Sequence, residues 1–292
     1  MMIRLTKMHG LGNDYLFLDS RDIECSAPEV LAQEVADRNR GVGSDGLILV
    51  LAATGEADVR MRMFNADGSE AEMCGNGLRC LVKYVVDRGI ASQNPLAIET
   101  GAGVLMATWF RGDKGNVNEV EVEMGSPILA CGEIPAIIKG VQASEHVIGY
   151  PIDPAVFALP ETVEPAMSLV SMGNPHVMIY GRDIQSVNLE DVGPKVEHDS
   201  MFPSRINLHL VEVHSPRHVS MRTWERGSGI TQACGTGACA VVVAGVLGDR
   251  HERSVQVSLP GGDLAISWPS ASAAVQMRGP AVEVFDVDWT RE

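Results

Sequence analysis

Two cysteines stand where the sequence is built for chemistry. Cys74 opens the turn Cys-Gly-Asn-Gly, and Cys234 opens Cys-Gly-Thr-Gly. Each turn runs into an apolar segment; in the first, Leu78, Leu81, Val82, Val85 and Val86 recur at helical spacing. Each sulfur is therefore expected at the start of a helix. There the first amides have no internal partner and the peptide dipoles point their positive end. A thiol so placed is expected to react as a thiolate. The glycines beside it let backbone N–H groups approach an anion closely.

The polar approach to the two turns is repeated as well. Asn65 lies nine residues before Cys74, and Glu225 lies nine before Cys234. Such a recurrence reads as an internal duplication with one copy in each half of the 292 residues. A pseudo-two-fold arrangement would turn the two helix starts toward one small carboxylate, with one sulfur on each face of its α-carbon. That geometry suits removal of a proton from one face and delivery of another to the opposite face, one cysteine acting as thiolate and the other as thiol. The carbanion would rest on helix dipoles in a site closed to water. No Schiff-base lysine is evident, so pyridoxal phosphate is not inferred, and no cofactor is expected.

The remaining cysteines read differently. Cys25, Cys80, Cys131 and Cys239 are taken as small buried hydrophobes. No Cys-x-x-Cys pair occurs, so a structural zinc site is not expected and no metal is assigned. The chain is also too large to need a disulfide framework. His176, after Asn174-Pro175, is equally a structural histidine or an acid–base partner. A regulatory disulfide between Cys74 and Cys234 is the competing use of two thiols, but matched anion-binding turns are unnecessary for a switch.

The elements that must position these residues alternate between strand and helix patterns. Strands are expected over 2–8 and 15–19, around the turn that carries Asn13. A helix is expected over 28–39, with Ser26 as its cap and Pro28 in its first turn. Residues 41–46, Gly-Val-Gly-Ser-Asp-Gly, match G-x-G-x-x-G. A dinucleotide site would need a strand before the motif and a helix after it, and here the order is reversed. Strands at 47–51 and 59–64 lead to the Cys74 helix, and more follow at 96–100, 104–110 and 117–124. Residues 127–165 are Pro-rich and place few elements. A strand at 169–172, the turn carrying Asn174, and a strand at 177–180 echo the Asn13 region. Short helical turns at 187–197 and strands at 206–213 and 219–224 lead to the Cys234 helix. Further strands are expected at 255–259, 264–268 and 275–277, and 281–287 is read as a strand returning to the first domain. One long helix among many strands suggests a sheet wrapped round a helix.

The net charge of −15 and pI near 4.9 argue against nucleic acid or an anionic membrane as partner. No apolar run approaches the roughly 18 residues that span a bilayer. A soluble, cytoplasmic protein acting on a small molecule is expected.

Together the blocks His9-Gly-Leu-Gly-Asn-Asp14, Phe64-Asn-Ala-Asp-Gly-Ser69, Cys74-Gly-Asn-Gly77, Ser171-Met-Gly-Asn-Pro-His176, Trp224-Glu-Arg-Gly-Ser-Gly229 and Ala233-Cys-Gly-Thr-Gly-Ala238 resemble the motifs of diaminopimelate epimerases, in family order and over nearly the whole chain. The resemblance implies a cofactor-independent enzyme interconverting LL- and meso-diaminopimelate in lysine and peptidoglycan precursor synthesis. It implies an α/β (α+β) fold of two pseudo-symmetric domains, 1–118 plus 279–292 and 119–278, each with strands wrapped around a central helix, usually in a homodimer. By the same match Cys74 and Cys234 are the two bases. Gly75, Asn76, Gly235 and Thr236 supply helix-start contacts to the reacting carboxylate. Asn13, Asn65, Asn174, Asn207, Glu225 and Arg226 hold the amino and carboxylate groups, with His176 and Glu225 as candidates to orient the reacting amine. Many members carry Gln at the place of Gly46 and Glu at that of Ile230, so a side-chain contact from position 46 is missing. Racemases of other amino acids share the fold, which leaves an isomerase of another amino acid as the alternative.

Overall fold

The computed structural model describes residues 2–23 and 25–290. The chain divides into two compact units, 1–123 with 278–292, and 124–277.

The first unit opens with β1 (Met2–Gly10) and β2 (Asn13–Asp19), then α1 (Pro28–Ala36), β3 (Gly46–Leu51), β4 (Val59–Asn65) and the short β5 (Glu70–Ala71). The helix α2 (Gly75–Asp87) follows, then β6 (Leu96–Thr100), β7 (Gly103–Arg111) and β8 (Val117–Glu123). β1 and β2 are antiparallel, β2 and β3 parallel, and β3 and β4 antiparallel. β4 and β6 run parallel, and β6, β7 and β8 continue antiparallel. α2 packs on β1 and β2 as well as on β7 and β8, so the sheet curls around it. All but the last of its residues are buried, as an axial helix requires. Even its polar Lys83 is satisfied inside, donating to Asp87 Oδ2 at 2.8 Å and to the Val117 carbonyl at 2.6 Å.

The second unit repeats the plan. It begins with β9 (Tyr150–Pro151), α3 (Pro154–Phe157), β10 (Val163–Ser171), β11 (Pro175–Gly181), α4 (Leu189–Glu197), β12 (Asn207–Ser215) and β13 (His218–Glu225). It continues with β14 (Gly229–Thr231), α5 (Gly235–Leu247), β15 (Ser254–Leu259) and β16 (Gly262–Ser267). β11 and β12 are parallel and β12 and β13 antiparallel, as in the first unit. α5 packs on β10, β11, β12, β15 and β16. After β17 (Gln276–Pro280), β18 (Val282–Thr290) pairs antiparallel with β1, so the terminal strand does close the first unit.

Several boundaries differ from those expected. α1 stops at Ala36 because Asp37 leaves helical backbone and its carboxylate accepts from the Asn39 and Arg40 amides at 2.8 and 2.9 Å. Ser26 does not cap it: Ala27 stands at the N-cap. Residues 189–197 form one helix rather than short turns, with Pro194 inside it. β10 begins six residues early, at Val163, because a bulge between Val163 and Met167 hides its alternation. The Pro-rich stretch is poor in elements but not in core. Cys131, Ile134, Ile138, Val147 and Phe157 are buried in one cluster with Leu169, Val177 and Leu208.

Candidate active site

Cys74 and Cys234 occupy the N-cap positions of α2 and α5, each in extended backbone at φ −140° and −127°. The first intrahelical bonds run from the Leu78 amide to the Cys74 carbonyl and from the Ala238 amide to the Cys234 carbonyl. Neither side chain folds back to cap its own helix. In both units the sulfur thus stands beside a helix start whose first amides lie ahead of the helical ladder.

In the first unit the thiol sits in a ring of polar groups. The Tyr15 hydroxyl donates to Cys74 Sγ at 3.4 Å, and Sγ lies 3.6 Å from Asn13 Oδ1. Burial, and then the neighbouring Cys74, push the Tyr15 phenol well above its ordinary value, so it stays protonated and able to donate. Asn13 Oδ1 also accepts from Asn76 Nδ2 at 3.1 Å, and Asn76 Oδ1 accepts from Arg79 at 2.9 Å. Arg79 is fully buried beneath the turn and also reaches the Pro280 carbonyl at 3.1 Å. The other end of Asn13 is held by Asp45, whose Oδ2 accepts from Asn13 Nδ2 at 2.7 Å and from the Asp14 amide at 3.0 Å. Arg38 joins Asp45 to Asp14 at 3.0 and 2.7 Å. Burial pushes the Asp14 carboxyl up, but hydrogen bonds from Arg38 and Lys7 overcome it and leave it below the usual carboxylate value. The Gly41–Gly46 motif therefore serves this site by supplying Asp45. Replacing Asp45 with Ala releases the Asn13 carboxamide. A charge-assisted bond of about 1.5–3 kcal/mol is lost, and we expect KM to rise roughly tenfold or more, read in a steady-state assay with folding checked by circular dichroism.

Asn65 ends β4 with its amide donating to Ser69 Oγ at 2.9 Å. Gly75 stands in the first turn, its carbonyl facing Arg79. Gly46 lies opposite Asn65, and a Cβ there would fall 2.2 Å from the Phe64 carbonyl oxygen. The two strands close on this position because it has no side chain.

In the second unit Cys234 is 5% exposed and its Sγ lies 3.7 Å from Thr236 Oγ1. His176, His209 and Cys234 bring one ligand-type atom each within 4.8 Å of one another. The imidazoles face each other at 2.8 Å, Nδ1 to Nε2. That is a hydrogen-bonded pair, closer than two nitrogens sharing one tetrahedral ion would stand. Asn174 Oδ1 lies 2.9 Å from His176 Nε2. Asn207 is buried and its carboxamide is used inward: Nδ2 donates to the Pro175 carbonyl at 2.9 Å and Oδ1 accepts from the Arg226 amide at 3.0 Å. It ties the Asn174 turn to the Glu225 turn. Glu225 Oε1 accepts from Thr231 at 2.6 Å, and exposed Arg226 donates to the Ser204 carbonyl at 3.1 Å. Gly235 packs against Met277, where a Cβ would lie 2.9 Å from its sulfur, and Ile230 is partly exposed beside the turn.

The registers match the two half-sites. Gly46 pairs with Tyr15 as Asn207 pairs with His176. Tyr15 thus occupies the place beside Cys74 that His176 occupies near Cys234, and Gly46 is the counterpart of Asn207. Tyr15, Asp45, His209 and Thr223 escaped the sequence reading because each sits inside a strand or loop pattern that explains it without chemistry.

Burial, with His209 close by, holds His176 well below its ordinary 6.5, and burial drives His209 down to about 3. Both rings fold neutral, while in the unfolded chain they take up protons near 6.5. The unfolded state therefore binds more protons at lower pH, and stability present above that value is lost as pH falls toward the folded values. Between pH 7 and 5 we expect His209 to cost about 2 kcal/mol, with His176 acting in the same direction, measured by urea unfolding. His209→Gln should flatten the slope.

The fold is shared with solved structures of low identity. A Bacillus anthracis phenazine biosynthesis protein of the PhzF family superposes with a TM-score of 0.72 at 17% identity, covering all of both chains. A hydroxyproline epimerase from Agrobacterium vitis superposes at 0.63 and 14% identity, over 99% of this chain and 91% of that one. The sequence relation is narrower. The diaminopimelate epimerase family model matches residues 5–130 and 168–284. The diaminopimelate epimerase of Desulfitobacterium hafniense is 45% identical over 287 residues, 97% of this chain and 96% of that one. That of Acetivibrio thermocellus is 46% identical over 285 residues, 97% of each. The chain belongs to the diaminopimelate epimerase family.

Proposed function

We propose that this protein interconverts LL- and meso-2,6-diaminopimelate with Cys74 and Cys234 as its two bases and no cofactor. The observation that carries this reading is the pair of N-cap thiols on matched helices, one in each unit. One sulfur, as thiolate, takes the α-proton. The electron pair left on carbon is stabilised by the adjoining carboxylate, held against the first amides of the helices at Gly75, Asn76, Gly235 and Thr236. The other sulfur, as thiol, returns a proton to the opposite face, and the enzyme finishes with the two protonation states exchanged. Asn13, Asn65, Asn174 and Arg226 hold the substrate's polar groups and Glu225 orients the reacting amine, while His176, buried with both ring nitrogens engaged, acts through the Asn174 carboxamide. Asn207 serves by fixing the two turns it bridges.

The protein acts as a homodimer in the cytoplasm on this reading; apolar Val284 and Phe285 exposed on β18 support self-association, which sedimentation velocity tests. Among the described residues no helix is long and apolar enough to cross a membrane. The deciding assay follows LL-diaminopimelate in D2O with reduced enzyme. Epimerisation with deuterium entering at the α-carbon is expected. A panel of other amino acids that turn over faster would favour the alternative isomerase.

A further inference from the structure

A chain of hydrogen bonds beside Cys234 runs from Asn174 and His176 of the proposed site to His209 and Thr223, which the proposed reaction does not itself use. Thr223 Oγ1 lies 3.0 Å from His209 Nδ1, His209 Nε2 lies 2.8 Å from His176 Nδ1, and His176 Nε2 lies 2.9 Å from Asn174 Oδ1. Both imidazoles are fully buried, and Thr223 is nearly so. A neutral imidazole donates at one nitrogen and accepts at the other. Three bonds in series are then correlated, and one end sets the sense of all of them. Asn174 Oδ1 can only accept, so His176 Nε2 carries the proton. His176 Nδ1 then accepts from His209 Nε2–H, and His209 Nδ1 accepts from the Thr223 hydroxyl.

We propose that His209 is a positioning residue: by donating from Nε2 to His176 Nδ1 it holds the Nε2–H tautomer of His176 that the Asn174 oxygen selects, and so keeps the Asn174 carboxamide in that orientation. The consequence lies at Asn174. With Oδ1 held by His176, the amide group is the end left to donate, and a donor is what a substrate carboxylate requires. Without His209, either tautomer of His176 is open, and the carboxamide can turn its oxygen toward the anion instead. The ring is also held firmly in place. A Cβ on Gly237, in the first turn of α5, would lie 2.3 Å from His209 Cε1 and 3.0 Å from Cys234 Sγ. Gly237 thus leaves room for His209 to sit against the helix start that carries the thiol. Thr223 is positioned opposite His209 by the antiparallel register of β12 and β13.

The role given to Asn174 rests on the reading proposed above, but the tautomer does not. The first measurement therefore uses unliganded, 15N-histidine-labelled protein, with His176 assigned by comparison with His176→Gln. Two-bond 1H–15N spectra are expected to show His176 protonated at Nε2 and bare at Nδ1. A proton on Nδ1, or an even mixture, overturns the proposal whatever the enzyme's substrate. The second measurement compares two substitutions. His209→Gln keeps an amide donor at the position of Nε2 and should preserve both the tautomer and KM. His209→Leu removes the donor; KM for diaminopimelate should rise on the order of tenfold, with kcat within about threefold. A folded Leu variant with native KM and a single Nε2–H tautomer overturns the proposal. Should the Leu variant not fold, the native spectrum and the Gln variant still decide.

Discussion

Alanine at Cys74 or at Cys234 is expected to lower epimerisation by at least about a thousandfold, within the range that positioned acid–base groups contribute. The two losses should be alike in both reaction directions. The equilibrium constant is a property of the two isomers, so any variant must lower kcat/KM for LL and for meso substrate by one common factor. What differs is proton exchange. The remaining thiolate still faces one side of the α-carbon and can lift a proton from the isomer that presents it there. Each variant should therefore exchange deuterium into one isomer only, the opposite isomer for each cysteine, without inversion. The measurement is 1H NMR in D2O for exchange, with circular dichroism for inversion. A variant that keeps turnover within tenfold of the native enzyme would remove that cysteine from the mechanism. The four other cysteines offer the control. Cys80 is fully buried inside α2, and burial pushes its thiol up to about 12, so it stays protonated and inert. Cys80→Ala should cost stability and leave the exchange pattern intact.

The second large effect is expected at Gly46, and its sign runs against the obvious repair. The resemblance read from the sequence puts glutamine at this place in many members, which makes Gly46→Gln the obvious attempt to restore a substrate contact. In this chain the site has been closed by backbone. The Cβ of any residue at 46 would meet the Phe64 carbonyl oxygen at 2.2 Å and the Asn65 Cα at 3.3 Å. A carbonyl in a paired strand cannot swing aside as a side chain can. β3 and β4 must separate, and Asn65 and Asp45 move with them. Overpacking of this kind costs about 1–3 kcal/mol, and the variant should also bind substrate less well because Asp45 anchors Asn13. Gly46→Ala carries the same Cβ and no amide, so it should lose the same stability. Thermal and urea unfolding of both variants test this. Native stability in the Ala variant would show that the strands yield easily, and the argument would fall.

Local physics determined a large part of this protein from the sequence. The Gly-x-Gly turns, the helical spacing behind them and the nine-residue approach from Asn65 and Glu225 are short-range features. They placed Cys74 and Cys234 at helix starts without reference to the rest of the chain, and the N-caps are where that spacing put them. The strands on either side were legible for the same reason, except where Pro165 and a bulge broke the alternation of β10. What surrounds each sulfur was decided by pairing over long separations. Asp45 reaches Asn13 only because β3 lies parallel to β2, and His209 reaches His176 only because β12 lies parallel to β11. Register also turned Asn207 inward and pressed Phe64 against Gly46. A parallel crossover joins residues some thirty positions apart through a helix, and no periodicity within either strand states which residue will face which. The helix-start placement of the two thiols was therefore local in origin, while the groups that surround them came only with the fold.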